Sequence, residues 1–527
     1  MNVIKTPPVT TKEGQLLGKV EGKVSVFKGI PYAKPPVGNL RWRAPERLPA
    51  WTGPRDALEF GPSALQSRQA CIEGGGGDPG KMAEDCLYLN VWTPKTDPGA
   101  KLPVLFWIHG GAFIIGSGCV PPYDGTQIAA RDVVLVTFNY RLGHLGFFAH
   151  PELEKEAPGG PANFGILDQM LALEWVRNNI AQFGGDPSNI TIMGQSAGAK
   201  SVLAFFTSPL IREKNPFRRG VAMSSYVIQE KSVADAKLSG VAFAHHQGVP
   251  WQQATMEKLR KLDPEKFWTL PSDSVNAPSP IYGDSVLPQT IRESFEMGSQ
   301  LKLPLILGST SDDSSVVSSF GIDPATIIDK LGDLGGLIRQ LYPDVSDDRE
   351  IGRRMCRDFV FSVTPRHLAT FHSHHGAHAW RYYFEYRAKM LAPRQPLGVP
   401  HGGDVSYFLE TADHVPPTGD LFQDEDRKFT SHLVESLVQF LRTGTPGPVG
   451  GVAWTEHTAE SDKLLRLDTT VRMVDDFEGP ILDLAQLVMP LIDSFAKPPP
   501  PALPKKTSSS STSTSAAKGK PRPQATP

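Results

Sequence analysis

Cysteine is scarce: only four occur in 527 residues, at positions 71, 86, 119 and 356. Four in a chain this long do not make a disulfide scaffold, so the fold must rest on a hydrophobic core. Cys71 and Cys86 flank a glycine-rich loop and could pair, but buried or free thiols are the plainer reading of all four. Long apolar runs are lacking too, and none approaches the roughly 18 residues of a membrane-spanning helix. The opening stretch, "MNVIKTPPVTTKEGQLLG", has no apolar segment of the secretory kind. The expectation is a cytoplasmic protein, or a secreted one whose signal was trimmed. Nor does charge of one sign dominate, with 54 Lys and Arg against 56 Asp and Glu. That balance gives no reason to expect nucleic acid or an anionic membrane as a partner.

What is present is an ordinary globular composition, 40% apolar, with ample length to bury a large core. No linker or repeat interrupts the chain before residue 496, so one large domain is expected over residues 1–496. From Lys497 the character changes. "KPPPPALPKKTSSSSTSTSAAKGKPRPQATP" has no acid and almost nothing to bury, and a flexible tail is expected over 497–527.

Between residues 100 and 230 strand and helix signals alternate. "LPVLFWIHG" (102–110) and "DVVLVTFNY" (132–140) read as buried strands. "NFGILDQMLALEWVRNNIAQFGGDP" then places Ile166, Met170, Leu173 and Ile180 near one helical face, with Gly184, Gly185 and Pro187 as the stop. "NITIM" is a third strand and "AGAKSVLAFF" a helix. Such alternation predicts a large, mostly parallel central sheet flanked by helices on both faces.

At the junction of that third strand and its helix stands Gly194-Gln195-Ser196-Ala197-Gly198, a G-x-S-x-G pattern. The pattern alone is weak, because Gly and Ser are common here. Its setting of strand, sharp turn and helix is the one that lifts a serine hydroxyl above a sheet edge as a nucleophile. The helix start behind it offers free N–H groups to a developing anion.

A serine needs a base, and the base an orienting acid, in chain order Ser, acid, His for sheets of this type. "LPLILGSTSDDSSV" (303–316) ends an apolar run in a polar loop carrying Asp312 and Asp313. By composition alone that loop is a solvated turn. Nine of the fourteen histidines follow Asp313, so order does not choose among them. "HSHHGAH" (372–378) could set His374 and His378 on one helical face, but Gly376 interrupts it and no H-E-x-x-H accompanies it, so no metal is expected. His401, in "LGVPHGGDVSYF", lies on a Gly/Pro-rich loop after the strand "WRYYFEYR" and remains one candidate base. His109-Gly110-Gly111-Ala112, just past a strand end, can turn N–H groups toward a substrate carbonyl, or can simply link strands.

Taken in order, "VSVFKGIPYAKPPVGNLRWRAPE", "EDCLYLNVWTP", "HGGAF", "NYRLGHLGFF", "FGILDQMLALEWVRNNIAQFGGDPSNITIMGQSAGAKS" and "GVPHGGD" resemble the type-B carboxylesterases, the cholinesterase-like family of α/β-hydrolases. The resemblance runs from about residue 15 to 485. It implies the α/β-hydrolase fold and a serine esterase without metal or cofactor, acting on a small-molecule ester. It further implies a triad of Ser196, Asp313 and His401, and oxyanion donors at Gly111, Ala112 and Ala197 beside Gly110. By the same resemblance Ser224 supports the acid loop, and Cys71 and Cys86 match the family's first disulfide.

Departures from the family pattern carry their own expectations. The acid is Asp rather than the commoner Glu, which leaves Asp312 as a minor alternative. Gln195 replaces a common Glu, removing a negative charge and disfavouring cationic substrates. "SS" at 224–225 replaces the usual "SG". Only 14 polar, glycine-rich residues separate Cys71 from Cys86, too little for an amphipathic lid. Small to medium esters are therefore expected, with a lipase or a catalytically silent binding protein as the alternatives.

Overall fold

The computed structural model describes residues 4–228, 230–268, 278–320, 322–332, 334–415 and 419–496. The tail expected over 497–527 lies outside the described residues.

Among the described residues eleven strands form the main sheet. In chain order they are β1 (Lys19–Glu21), β2 (Val24–Pro31), β3 (Tyr88–Thr93), β4 (Leu102–Ile108), β5 (Val134–Phe138) and β6 (Gly185–Gln195). Then come β7 (Arg219–Met223), β8 (Leu305–Thr310), β9 (Ala379–Phe384), β10 (Lys463–Leu467) and β11 (Arg472–Asp475). Their spatial order is β11-β10-β9-β8-β7-β6-β4-β5-β3-β2-β1. From β10 across to β5 every pairing is parallel. The two flanks are antiparallel. The expected mostly parallel sheet is thus observed, with antiparallel margins that the strand-and-helix alternation did not announce.

The helices used below are α1 (Arg68–Glu73), α2 (Phe164–Asn179), α3 (Ala197–Thr207), α4 (Val363–His374) and α5 (Asp424–Thr443). Side chains alternate across each strand, so one strand feeds two cores. On β4, Val104, Phe106 and Ile108 join a cluster with Trp175 and Val176 of α2, Leu203 and Phe206 of α3 and Leu368 of α4. Leu105 and Trp107 point the other way, into a cluster with Leu433, Leu437 and Leu441 of α5. This two-sided burial is why β4 and β5 are buried throughout and apolar at every position but Thr137, whose hydroxyl donates to the Gly118 carbonyl at 2.6 Å. Full burial of one such side chain contributes roughly 1.5–3 kcal/mol, so the two layers dominate stability.

Beyond β5, Arg141 holds α2 in place. Its guanidinium donates twice to Asp168, both bonds at 2.7 Å, inside the core. After α2 a 3-10 turn, Ile180–Phe183, runs to Gly184 at φ 79, and β6 begins at once at Gly185. No helix among the described residues is long and apolar enough to cross a membrane.

Candidate active site

Ser196 stands between β6 and α3 with φ 57 and ψ −120, a conformation foreign to a residue bearing a Cβ. Strain of this kind costs about 1–3 kcal/mol and persists only where the surroundings enforce it. Here the enforcement is backbone packing. A Cβ on Gly198 would lie 2.0 Å from the Ile108 carbonyl oxygen, and one on Gly194 would lie 2.5 Å from the Gly198 carbonyl carbon. Only glycine at both positions lets α3 press against the end of β4. Ser196 N–H donates to the Met223 carbonyl at 2.8 Å, which ties the turn to β7.

Asp313 and His401, the expected acid and base, come from two loops at the same sheet edge. Past β8, one oxygen of Asp313 accepts from Thr310 N–H (2.7 Å) and from the Ser224 hydroxyl (3.1 Å). Its other oxygen pairs with His401 Nδ1 at 2.7 Å. An ionised Asp313 keeps the imidazole proton on Nδ1 and leaves Nε2 an acceptor. Among the described residues that buried Nε2 has no hydrogen-bond partner. His401 N–H donates to Ser315 Oγ at 2.9 Å, and its ring packs 5.0 Å from Phe361. Phe361 belongs to a π-helical turn, Arg357–Ser362, a deformation that recurs at functional sites. Beside the imidazole, Gly402 abuts the Gln195 side chain, which sets His401 next to the nucleophile elbow.

Asp312 is used elsewhere. Its carboxylate accepts from Arg353 Nη1 at 2.6 Å and from Ser314 Oγ at 2.7 Å. Its backbone N–H donates to Val399 at 2.9 Å, stitching the acid loop to the histidine loop. The neighbouring Asp313 is the carboxylate that faces His401.

Past β4 the chain makes a left-handed turn, with φ of 106 at Gly111, 52 at Ala112 and 63 at Phe113. The Gly111 carbonyl accepts from both Ile114 and Ile115 N–H at 3.0 Å, and Phe113 accepts from Gly143 N–H at 2.8 Å. The N–H groups of Gly111 and Ala112 donate to nothing among the described residues. Ala197 N–H, in the first turn of α3, has no helical acceptor. Gly110 packs so tightly on the elbow that a Cβ there would sit 2.7 Å from the Gln195 carbonyl oxygen. Under the turn, burial lowers the His109 pKa to about 4, so the ring is neutral. It stacks on Tyr140 at 4.4 Å, and Tyr140 Oη donates to the His109 carbonyl at 3.0 Å.

One residue of the site went unassigned in the sequence. Asp404, within the quoted "HGGD", is buried, and its Oδ2 accepts from Tyr382 Oη at 2.7 Å while Oδ1 has no partner among the described residues. Burial raises its pKa to about 7, the Tyr382 hydrogen bond opposes that shift, and the Asp313 charge adds to it. A carboxylate three residues beyond the base was the available signal.

The Cys71–Cys86 pairing that the resemblance allows is not made here: both are free, buried thiols. Cys86 lies in the main core with Tyr32 and Ala64, whereas burial raises the Cys71 thiol pKa beside the Gly116 backbone and Cys119. The loop is closed by backbone instead, through Ser63 N–H to Lys81 (2.8 Å) and Ala83 N–H to Ser63 (3.0 Å). The histidine cluster does not share a helical face either, because α4 ends at His374. His372 contacts the Leu303 carbonyl, His375 the Glu296 carbonyl and His378 Glu456.

A strained serine lifted on a strand–helix elbow at the carboxyl edge of a parallel sheet is how an α/β-hydrolase presents its nucleophile, and this molecule has that fold. Comparison with known proteins narrows the class: residues 5–334 and 339–480 match the carboxylesterase family. The chain belongs to that family and is a carboxylic ester hydrolase. It is 32% identical to the para-nitrobenzyl esterase of Bacillus subtilis (strain 168) over 495 residues, which cover 89% of this chain and 96% of that protein. It is also 32% identical to the fumonisin B1 esterase of Sphingopyxis macrogoltabida over 463 residues, 83% of this chain and 82% of that protein. A solved PNB esterase structure aligns with a TM-score of 0.78 at 29% identity, over 90% of this chain and 98% of that one. A carboxylesterase structure from Geobacillus stearothermophilus aligns at 0.75 and 31% identity, over 91% of this chain and all of that one.

Proposed function

We propose that the chain hydrolyses small to medium carboxylic esters through an acyl-serine intermediate. His401 Nε2 takes the Ser196 proton as Oγ attacks the ester carbonyl carbon. The tetrahedral oxyanion is stabilised by the N–H groups of Gly111, Ala112 and Ala197, donors of a kind each worth about 10²–10³ in rate. As the C–O bond breaks, His401 returns the proton to the leaving alcohol. Water, deprotonated by the same nitrogen, then releases the acid and restores Ser196. Asp313 stabilises the imidazolium, held in turn by Ser224 and Thr310. Gln195 keeps a neutral amide beside the nucleophile and suits uncharged esters better than cationic ones. No step calls for a metal or cofactor.

The observation that carries this reading is the 2.7 Å Asp313–His401 contact with Nε2 left over as an acceptor beside the elbow. The test is hydrolysis of p-nitrophenyl esters from acetate to palmitate by the native chain and by Ser196→Ala. Turnover that peaks at short chains and is lost in the variant is the expected result. A peak at long chains that climbs on emulsified substrate would replace the reading with a lipase. Absence of turnover in a folded native chain would replace it with a binding protein.

A further inference from the structure

A pocket of about 420 Å³ opens beside the oxyanion turn. Its walls are Ile114 and Ile115 from that turn, Leu142 and Leu145 from the helical turn after β5, Ala70 of α1 and the indole of Trp268. The volume lies in the range of about 300–1,000 Å³ that small-molecule sites occupy. No charged side chain lines it among the described residues. The one hydroxyl in the wall, Ser67 Oγ, is engaged in capping α1 through Ala70 N–H at 3.2 Å. Apart from that hydroxyl, the side chains that line the pocket among the described residues are apolar or aromatic.

Two hydrogen-bond sets fix this pocket to the oxyanion donors. The Gly111 carbonyl that closes the turn accepts from Ile114 and Ile115 N–H, so the isoleucines cannot shift without moving Gly111. From the opposite side, Gly143 N–H donates to Phe113 at 2.8 Å and anchors Leu142 and Leu145 to the same turn. A group seated here is therefore indexed to the atoms proposed to receive the ester carbonyl.

We propose that this pocket is a specificity subsite that takes an uncharged aromatic or branched aliphatic group of the ester, and that Ala70 and Ile114 set the size it admits. The proposal rests on the ester-hydrolase reading above. Occupancy buries apolar surface worth roughly 25 cal/mol per Å², and because the pocket is tied to the oxyanion turn, that binding aligns the carbonyl and acts on kcat/KM.

The test compares benzyl acetate and ethyl phenylacetate, which carry the ring on the alcohol or on the acid, with ethyl acetate. Ala70→Phe fills the pocket from a half-buried helix position, and Ile114→Ala enlarges it. The expected result is a native preference for at least one aromatic ester over ethyl acetate. Ala70→Phe should cut that kcat/KM ratio about tenfold, the scale on which apolar pockets discriminate. Ile114→Ala should raise it for a bulkier naphthylmethyl ester, and the ester that responds identifies which half of the substrate enters. Ratios unchanged in both variants, with melting temperatures near native, would overturn the subsite alone. Lack of turnover of all three esters by the native chain would instead overturn the ester-hydrolase reading.

Discussion

The two halves of the proposed active site are built by different means. The nucleophile half is made of backbone: β6, α3 and the turn after β4 meet so closely that glycine is the only residue that fits at 194 and 198. Four of the eleven non-glycine residues with positive φ among those described belong here or next to it: Ala112, Phe113, Ser196 and Ser224. The acid–base half is made of side chains: Asp313 is positioned by Thr310, Ser224 and His401 across three separate elements. Steric enforcement is all or none, whereas a hydrogen-bond network gives way one bond at a time. The first half should therefore fail abruptly under substitution and the second by degrees.

Removing the Asp313 charge is the severest cut the second half can receive without losing volume. Asp313→Asn should lower kcat about 10³–10⁴-fold while the fold persists, as measured by steady-state hydrolysis alongside circular dichroism. A loss below tenfold would show that His401 does not need this carboxylate. In the first half, Gly198→Ala pushes a methyl into the Ile108 carbonyl, 2.0 Å away. Either α3 withdraws or the strand end does, at a cost of about 2–4 kcal/mol and more than tenfold in kcat. Thermal denaturation and kcat read both effects, and a near-native variant would mean that the elbow yields. By contrast, Ser315→Ala deletes the hydroxyl that receives His401 N–H at 2.9 Å. About 1 kcal/mol and a few-fold in rate are expected, which would mark the graded half of the comparison.

Asp404 makes a prediction on pH dependence. Its folded pKa, about 7, lies above the ordinary carboxylate value. Stability from the neutral form is therefore fully present below about pH 4 and is lost as pH rises through about 7. Asp404→Asn keeps an acceptor for Tyr382 and removes the titration. Against the native chain its stability, followed by thermal unfolding, should gain more at pH 8.5 than at pH 5, by on the order of a few kcal/mol at most. Equal gains at both pH values would mean that Asp404 is already ionised.

What could be read in the sequence follows the same division. G-x-S-x-G, the HGGA turn and the apolar runs of β4 and β5 are local, because steric demands and two-sided burial write themselves into neighbouring residues. The acid loop looked like a solvated turn, since the partners that make Asp313 special are 3, 88 and 89 residues away. Asp312 and Asp313 are alike as letters and differ only in that Arg353, 41 residues on, captures the first. Whether Cys71 and Cys86 pair was open in the sequence for a related reason. The loop is closed by Ser63 pairing with Lys81 and Ala83, and no side-chain pattern announces such backbone bonds.

The sheet's outer margins bear on self-association. Both outermost strands are short and end in opposite charges: β1 reads Lys-Val-Glu and β11 reads Arg-Met-Val-Asp. Lys19 and Glu21 pair at 2.6 Å along one rim, and Lys463 pairs with Asp475 along the other. The β1 margin is already met by the chain's own N-terminal segment, with Val20 N–H donating to the Ile4 carbonyl at 2.8 Å and Thr6 N–H to the Gly18 carbonyl at 2.9 Å, and at β11 a second copy would have to strip water from the Lys463–Asp475 pair for only four residues of ladder. An eleven-strand sheet thus keeps its templating edges closed to its own kind, and crowding during synthesis or concentration meets charge where it would otherwise meet an open row of N–H and C=O groups.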